Sequence, residues 1–162
     1  MYLGLGTNLG DKRKNLEDAP LLIRERIGTI VSLSSFYETQ PWGFRSEHTF
    51  LNAAAGVDTS LSPTDLLRAT QEIEKLLGRL RKSAQGIYHD RPMDIDILLY
   101  GDKVFQTEEL TVPHPEMTER RFVMEPLVEI APDRVHPVYG KTIRELFSLG
   151  FGHDAAPLPE SP

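Results

Sequence analysis

The chain contains no cysteine. Disulfide scaffolds and cysteine-ligated zinc are therefore excluded, and a reducing compartment is compatible. No apolar run approaches the ~18 residues that a membrane span needs. The opening stretch, MYLGLGTNLGDK, lacks the basic-then-apolar order of a secretory signal. A cytoplasmic protein with no membrane partner is expected. Positive charge is also short: 18 Lys and Arg stand against 24 Asp and Glu, a net charge of −6. A general nucleic-acid binder normally carries a basic excess, so no nucleic-acid partner is expected. Internal repeats and dividing linkers are missing too. The 162 residues suit one domain, expected over 1–150, with a Pro-rich tail at 151–162 expected to be disordered. The assembly is expected to be a monomer or a weak dimer.

Met1 to Gly6 is short, apolar and ends in glycine, as a first strand would. Asn8 or Asp11 can cap the helix that follows, in which Leu16, Ala19, Ile23 and Ile27 recur at helical spacing. Pro20 falls inside that pattern and is expected to kink or split it. Thr29 to Thr39 is rich in β-formers and reads as one strand, and Phe50 to Asp58 as another. Between them, QPWGFRSEHT is a loop punctuated by Pro41 and Gly43. Ser62, Pro63 and Asp65 open a helix as N-cap, first-turn proline and first-turn acid. Its buried face is Leu66, Thr70, Ile73 and Leu77, and Gly78 is expected to end it. Met93 to Tyr100 reads as a strand, and Gly101-Asp102 as a turn into a hairpin at Val104-Phe105. Helices are expected at Met124–Ile130 and Thr142–Leu149.

The order through Tyr100 is β-α-β-β-α-β. This predicts an α+β, ferredoxin-like core: an antiparallel sheet with helices on one face, plus a C-terminal hairpin and helices. The other face is left for something to cover or use.

Within HDRPMDIDILLYG (residues 89–101), two acids interrupt a segment otherwise ready for burial. Side chains alternate along a strand, so Asp94 and Asp96 share a face, roughly 6.5–7 Å apart along the strand. The expected partition puts Met93, Ile95, Ile97 and Leu99 toward the helices, and Asp94, Asp96, Leu98 and Tyr100 on the opposite face. Like charges this close repel, and a divalent cation relieves that cost. Hard carboxylate oxygens favour Mg²⁺ or Mn²⁺. An acid pair on a solvated sheet face is the plainer alternative, but the neighbourhood argues for chemistry. Arg79, Arg81, Lys82 and Arg91 form a basic run leading into the pair, opposed by the single acid Asp90. Acids that hold a metal beside bases that hold anions suit a polyphosphate.

Two further segments stand out. LTVPHPEMTERRFV sets His114 between prolines and then brings Arg120, Arg121 and Phe122. The segments ETQPWGF and FLNAA supply Trp42, Phe50 and Asn52, an aromatic slot with one amide that suits a planar heterocycle. The glycines of GLGTNLG look like a dinucleotide loop, but two strands follow without a helix between them, so the doubly wound order fails. Those glycines are expected to serve a tight turn and close packing.

Together these segments resemble the 6-hydroxymethyl-7,8-dihydropterin pyrophosphokinase family. The resemblance runs through LGLGTNLGD, SSFYETQPWG, FLNAA, GRLRK, Arg91-x-x-Asp94-x-Asp96, LTVPHP and RRFVMEPLVEIAP, over about Met1 to Leu149. It implies a ferredoxin-like α+β fold. It also implies transfer of the β,γ-diphosphate of ATP to the pterin hydroxymethyl oxygen, with release of AMP, in folate biosynthesis. Asp94 and Asp96 match the ligands of two Mg²⁺ ions. Arg79, Arg81, Lys82, Arg91, His114 and Arg120 match positions lining the ATP phosphates or the mobile loop, with Arg79 and Arg91 in catalytic roles. Gln71, Glu74 and Ile97 match the nucleotide side. Phe50 and Phe122 match the aromatic pair that sandwiches the pterin, Asn52 its hydrogen-bonding amide, and Thr39, Gln40 and Trp42 the loop that closes its pocket. His89, Asp90, Glu109 and Pro115 depart from the family pattern. Two other readings stay open on the residues alone: another Mg²⁺-dependent nucleotidyl or phosphoryl transferase on this fold, and a noncatalytic binding module.

Overall fold

The structure, a computed structural model, describes residues 1–8, 10–39, 49–80 and 93–151; the side chains of Arg79 and Leu80 lie outside that description. The chain runs β1 (Tyr2–Thr7), α1 (Lys12–Arg26), β2 (Gly28–Leu33), β3 (Tyr37–Thr39), β4 (Phe50–Thr59), α2 (Pro63–Leu80) and β5 (Asp94–Leu99). It continues through β6 (Phe105–Gln106), β7 (Thr111–Val112), one 3-10 turn (Met117–Glu119), α3 (Arg121–Ile130) and α4 (Ile143–Phe151). The main sheet is antiparallel in the order β2-β4-β1-β5, with β3 continuing the β2 edge alongside β4. This is the expected ferredoxin-like arrangement.

Local chemistry explains the helix starts. Asp11 accepts a hydrogen bond from the Lys14 N–H at 3.2 Å and caps α1. Ser62 accepts one from the Asp65 N–H at 3.2 Å and caps α2. The predicted buried face of α2 holds: Leu66, Thr70, Ile73 and Leu77 are all buried. Pro20 does not split α1, which is a single helix through it with the proline buried. The stop expected at Gly78 does not occur either. α2 runs past Gly78, where a Cβ would meet nothing within 4 Å; in open space glycine costs some propensity and ends nothing.

The strand expected over Thr29–Thr39 is broken at Ser34–Phe36. There the Ser34 hydroxyl, not a main-chain carbonyl, accepts the Ala54 N–H at 2.8 Å, while the Ser34 N–H reaches the Ala54 carbonyl. The hairpin partner also differs. β6 pairs with β7 beyond the β5 edge, so Val104-Phe105 does not fold back on β5.

Two hydrophobic clusters sandwich the sheet. Leu3, Leu5, Ala53, Ala55, Ile95 and Ile97 pack on one side with Leu16, Ile23, Ile73 and Leu77 of α1 and α2. Ala54, Leu98 and Leu99 pack on the other with Met124, Leu127, Ile143 and Phe147 of α3 and α4. The second face is thus covered by the C-terminal helices, not only left for ligand. The ladder shifts between Tyr2 and Leu3, which pair with Leu99 and Ile97, leaving Leu98 as the extra residue of a bulge. The bulge changes the side-chain phase. Leu99 joins Leu98 in the α3/α4 cluster, and Tyr100 turns to the α1/α2 side, where its hydroxyl donates to the Leu61 carbonyl. Phe151, placed above in the tail, closes α4; residues 152–162 lie outside the described residues.

Candidate active site

Residues directly opposite in an antiparallel ladder project to the same face. Gly6 pairs with Asn52 on one side and with Asp94 on the other. Gly4 pairs likewise with Ala54 and Asp96. Two rows therefore cross the sheet: Asn52-Gly6-Asp94 and Ala54-Gly4-Asp96. In each, the middle residue has no side chain. Asn52 and Asp94 are two strand spacings apart, roughly 10 Å, across a bare strip of main chain. Tyr37 lies opposite Asn52 and Thr39 opposite Phe50, on this same face.

Asn52 is buried, and its Nδ2 donates to Thr39 Oγ1 at 3.1 Å. A Cβ built on Gly6 would stand 2.9 Å from Asn52 Oδ1, so the amide leans over the glycine. This is the close packing anticipated for the GLGTNLG glycines, and Gly10, at φ +73°, supplies the turn. Phe122, near the start of α3, packs against the second cluster, on the side of the sheet that carries Asn52 and Phe50. Lys12 Nζ donates to the Thr49 carbonyl and hydroxyl at 3.1 and 2.9 Å, and Thr49 Oγ1 donates to Glu38 at 2.7 Å.

Beyond the β5 edge lies a cleft of about 280 Å³. Asp96 and His114 line it, together with Leu67 of α2, Ile95 and Ile97 of β5, and the segment Thr107–Thr111. Glu74 sits at this edge, where its carboxylate accepts the Ile95 N–H at 2.7 Å. Gln71, on the turn before it, is exposed. Glu109 and Pro115, two of the departures from the family pattern, line the cleft. The acid pair thus stands between a flat floor on one side and a cleft on the other. Both acids are half-buried.

His114 is anchored by its N–H, which donates to the Leu98 carbonyl at 3.0 Å. The Glu116 N–H donates to its Nδ1 at 3.2 Å, so the neutral ring carries its proton on Nε2. Burial, and then the Arg120 guanidinium, hold His114 below the ordinary imidazole value, while Glu116 and Asp94 pull it upward. Arg120 is paired with Glu116 at 2.6 Å and lies 5.7 Å from the Phe122 ring centre. Burial also lowers His136, on the far turn before α4.

A depressed imidazole means that the folded chain binds fewer protons than the unfolded one around its ordinary pKa. The associated stability is present above about pH 6.5 and is lost as pH falls through the lower folded values. The thermal midpoint is therefore expected to fall between about pH 7.5 and about pH 5.5, and replacing both histidines by glutamine should flatten that fall. A midpoint unchanged or higher at the acidic end would contradict this.

Comparison with known proteins decides what this arrangement belongs to. Residues 2–132 match the family described as 7,8-dihydro-6-hydroxymethylpterin-pyrophosphokinase. The chain belongs to this pyrophosphokinase family. It is 51% identical over 139 residues to a 2-amino-4-hydroxy-6-hydroxymethyldihydropteridine pyrophosphokinase of Porphyromonas gingivalis, covering 85% of this chain and 93% of that one. It is 39% identical over 158 residues to a folic acid synthesis protein of Pneumocystis carinii, covering 98% of this chain and 21% of that longer one. In three dimensions it matches a Plasmodium falciparum HPPK-DHPS crystal structure with TM-score 0.71 at 20% identity. That match covers 94% of this chain and 43% of the other, and it speaks for the fold.

Of the residues that the resemblance assigns to the site, the structure gathers Asp94, Asp96, Asn52, Thr39 and Phe50 on one face of the sheet. Ile97 and His114 line the cleft beyond it, and Glu74 bonds the β5 main chain at its edge. Gln40, Trp42, Arg81, Lys82 and Arg91 lie outside the described residues, as does the Arg79 side chain. The pairing of Gly4 and Gly6 with the two acids went unread in the sequence, because it depends on strand register. Leu67, Leu110 and Thr111, which line the cleft, carried no distinguishing signal in the sequence either. Among the described residues, no helix is long and apolar enough to cross a membrane.

Proposed function

We propose that this chain moves the terminal diphosphate of ATP onto the hydroxymethyl oxygen of 6-hydroxymethyl-7,8-dihydropterin and releases AMP. The reaction class follows from the family: the chain is a pyrophosphokinase of folate synthesis. The observation that carries the finer reading is the row Asn52-Gly6-Asp94. It links an amide that can read a heterocycle edge to a carboxylate that shares its face of β5 with Asp96, which lines the cleft.

A flat ring fits the glycine strip because nothing projects from it. Asn52, held by Thr39, orients that ring by donating and accepting at its polar edge. Phe50 and Phe122 supply apolar faces for it. The cleft beyond β5 takes the nucleotide, with Leu67 and Ile97 at its wall. His114 offers its Nε2–H in the same cleft as a donor to a phosphate oxygen. The two substrates thus meet at the acid pair, and most of the rate gain comes from placing the hydroxymethyl oxygen in line with the β-phosphate.

The donor set fits Mg²⁺. Asp94 and Asp96 are two hard-oxygen ligands side by side, and among the described residues no group of three or more His, Cys, Asp or Glu could hold a metal by itself. Mg²⁺ suits such a site, since it takes one or two carboxylates and fills its shell with water and phosphate. When bound, two Mg²⁺ ions would offset phosphate charge and lower the pKa of the attacking alcohol. The chain itself holds Asp94 and Asp96 on one face, beside Gly4 and Gly6, which add no side chain between them and the row of β4. Arg79, Arg81, Lys82 and Arg91 are assigned to the phosphates, in a cytoplasmic monomer or weak dimer.

The test is product identity. Incubation with ATP, Mg²⁺ and the hydroxymethyl dihydropterin should yield AMP and a pterin diphosphate, in equal amounts by chromatography. Release of pyrophosphate or ADP instead would assign the site to another transferase chemistry.

A further inference from the structure

One side-chain cluster outside this site remains unused. Glu129 of α3 receives four hydrogen bonds, three from Ser35 in the break between β2 and β3 and one from Tyr37 at the start of β3. The Ser35 N–H reaches both of its oxygens, at 3.0 and 3.1 Å. The Ser35 hydroxyl donates to Oε2 at 3.2 Å, and the Tyr37 hydroxyl donates to Oε1 at 2.6 Å. Glu129 is exposed, so it builds no core. α3 is already held to the sheet by Val123, Met124, Leu127 and Val128. The tie sits at the margin of the packed helix, where it joins α3 to the β2–β3 segment.

Its placement suggests what it serves. Phe122 and Glu129 are seven residues apart on α3, two turns and roughly 10.5 Å along the same face. Tyr37 lies opposite Asn52 in the β3–β4 ladder, and Thr39 opposite Phe50. One end of the tie therefore belongs to the helix that carries Phe122, and the other to the strand pair that carries Phe50 and Asn52. We propose that Glu129 is a positioning residue that fixes the spacing between these two walls of the ring slot. It acts through Tyr37 and Ser35 and touches no substrate. The inference rests on the pterin reading above.

Burial, and then the bond to Glu129, raise the Tyr37 hydroxyl's pKa, so it stays a donor at any working pH. Arg121 and Glu125, one turn along α3, form their own pair at 3.3 Å, and Glu125 adds negative potential at Tyr37.

The experiment uses the full chain and measures two affinities by calorimetry: one for the hydroxymethyl dihydropterin and one for a nonhydrolysable ATP analogue with Mg²⁺. Glu129→Gln keeps the volume but turns an amide donor toward a donor. Tyr37→Phe removes one bond, and the ring can stay in place. Each should weaken pterin binding about three- to tenfold, the range of a lost hydrogen bond. Each should leave nucleotide affinity within about twofold. The double variant should be little worse than either single one, because both act in one network. Equal loss for pterin and nucleotide would make Glu129 merely structural and overturn the proposal, as would unchanged pterin affinity in both variants. Should the wild-type chain itself bind nucleotide but no pterin, the pterin reading falls first and takes this inference with it.

Discussion

Asp96→Ala is expected to slow turnover about 10²- to 10⁴-fold, roughly 3–5 kcal/mol of transition-state stabilisation, and to leave the fold standing. The two halves of that expectation come from the two faces of β5. Asp96 is half-buried and stands opposite Gly4, so removing its carboxylate empties no packed layer. It also relieves repulsion from Asp94. Its neighbour Ile97 does the converse. That side chain is 4% exposed and lies in the α1/α2 cluster. Ile97→Ala should cost about 2–5 kcal/mol of stability, as large-to-small core changes do, while the acids stay in place. Steady-state rates with both substrates saturating, read beside thermal midpoints, separate the two. An Asp96→Ala protein with near-normal turnover would remove the metal role from the acid pair.

Gly6→Ala is expected to raise the KM for the pterin about 10- to 100-fold, with a much smaller effect on the KM for ATP. The magnitude is that of one misplaced buried polar group, about 1–3 kcal/mol. The new methyl would meet Asn52 Oδ1 at 2.9 Å. That oxygen is the free end of a side chain, so the amide can swing aside and the backbone need not move. The fold therefore survives, but the amide leaves its bond with Thr39 and the position from which it would read the ring. Gly4→Ala is a matched control. Its methyl would meet only Leu98 side-chain carbons, at 3.4 Å and beyond, an ordinary contact. Equal effects of the two substitutions would mean that bulk on the strip matters, and not the amide.

The core elements were legible because they rest on local rules. The face of α2 follows from period, its start from Ser62 and Pro63, and the shared face of Asp94 and Asp96 from alternation. Each of these needs only a few neighbouring residues. What was not legible depends on distant partners. Pro20 is accommodated in α1 because that helix packs on the sheet, which no local rule anticipates. The break at Ser34 depends on the Ala54 main chain twenty residues away. The phase change at Leu98 depends on pairing with Tyr2 and Leu3. In the site the division is the same. Asp94, Asp96, Asn52 and His114 announce themselves by chemistry. Gly4 and Gly6 become site residues only when register sets them between the amide and the acids, since a missing side chain has no chemistry to notice.

The bulge at Leu98 insulates the acid pair from whatever follows it. Upstream of it, Ile95, Asp94 and Asp96 are clamped to Leu5, Gly6 and Gly4 one for one. Downstream, the strand has already spent one unpaired residue. Leu99 pairs again with Tyr2, so the strand is held on both sides of that residue, and the 101–112 hairpin begins beyond this second clamp. The loops that line the cleft can thereby vary in size around a fixed pair of anions.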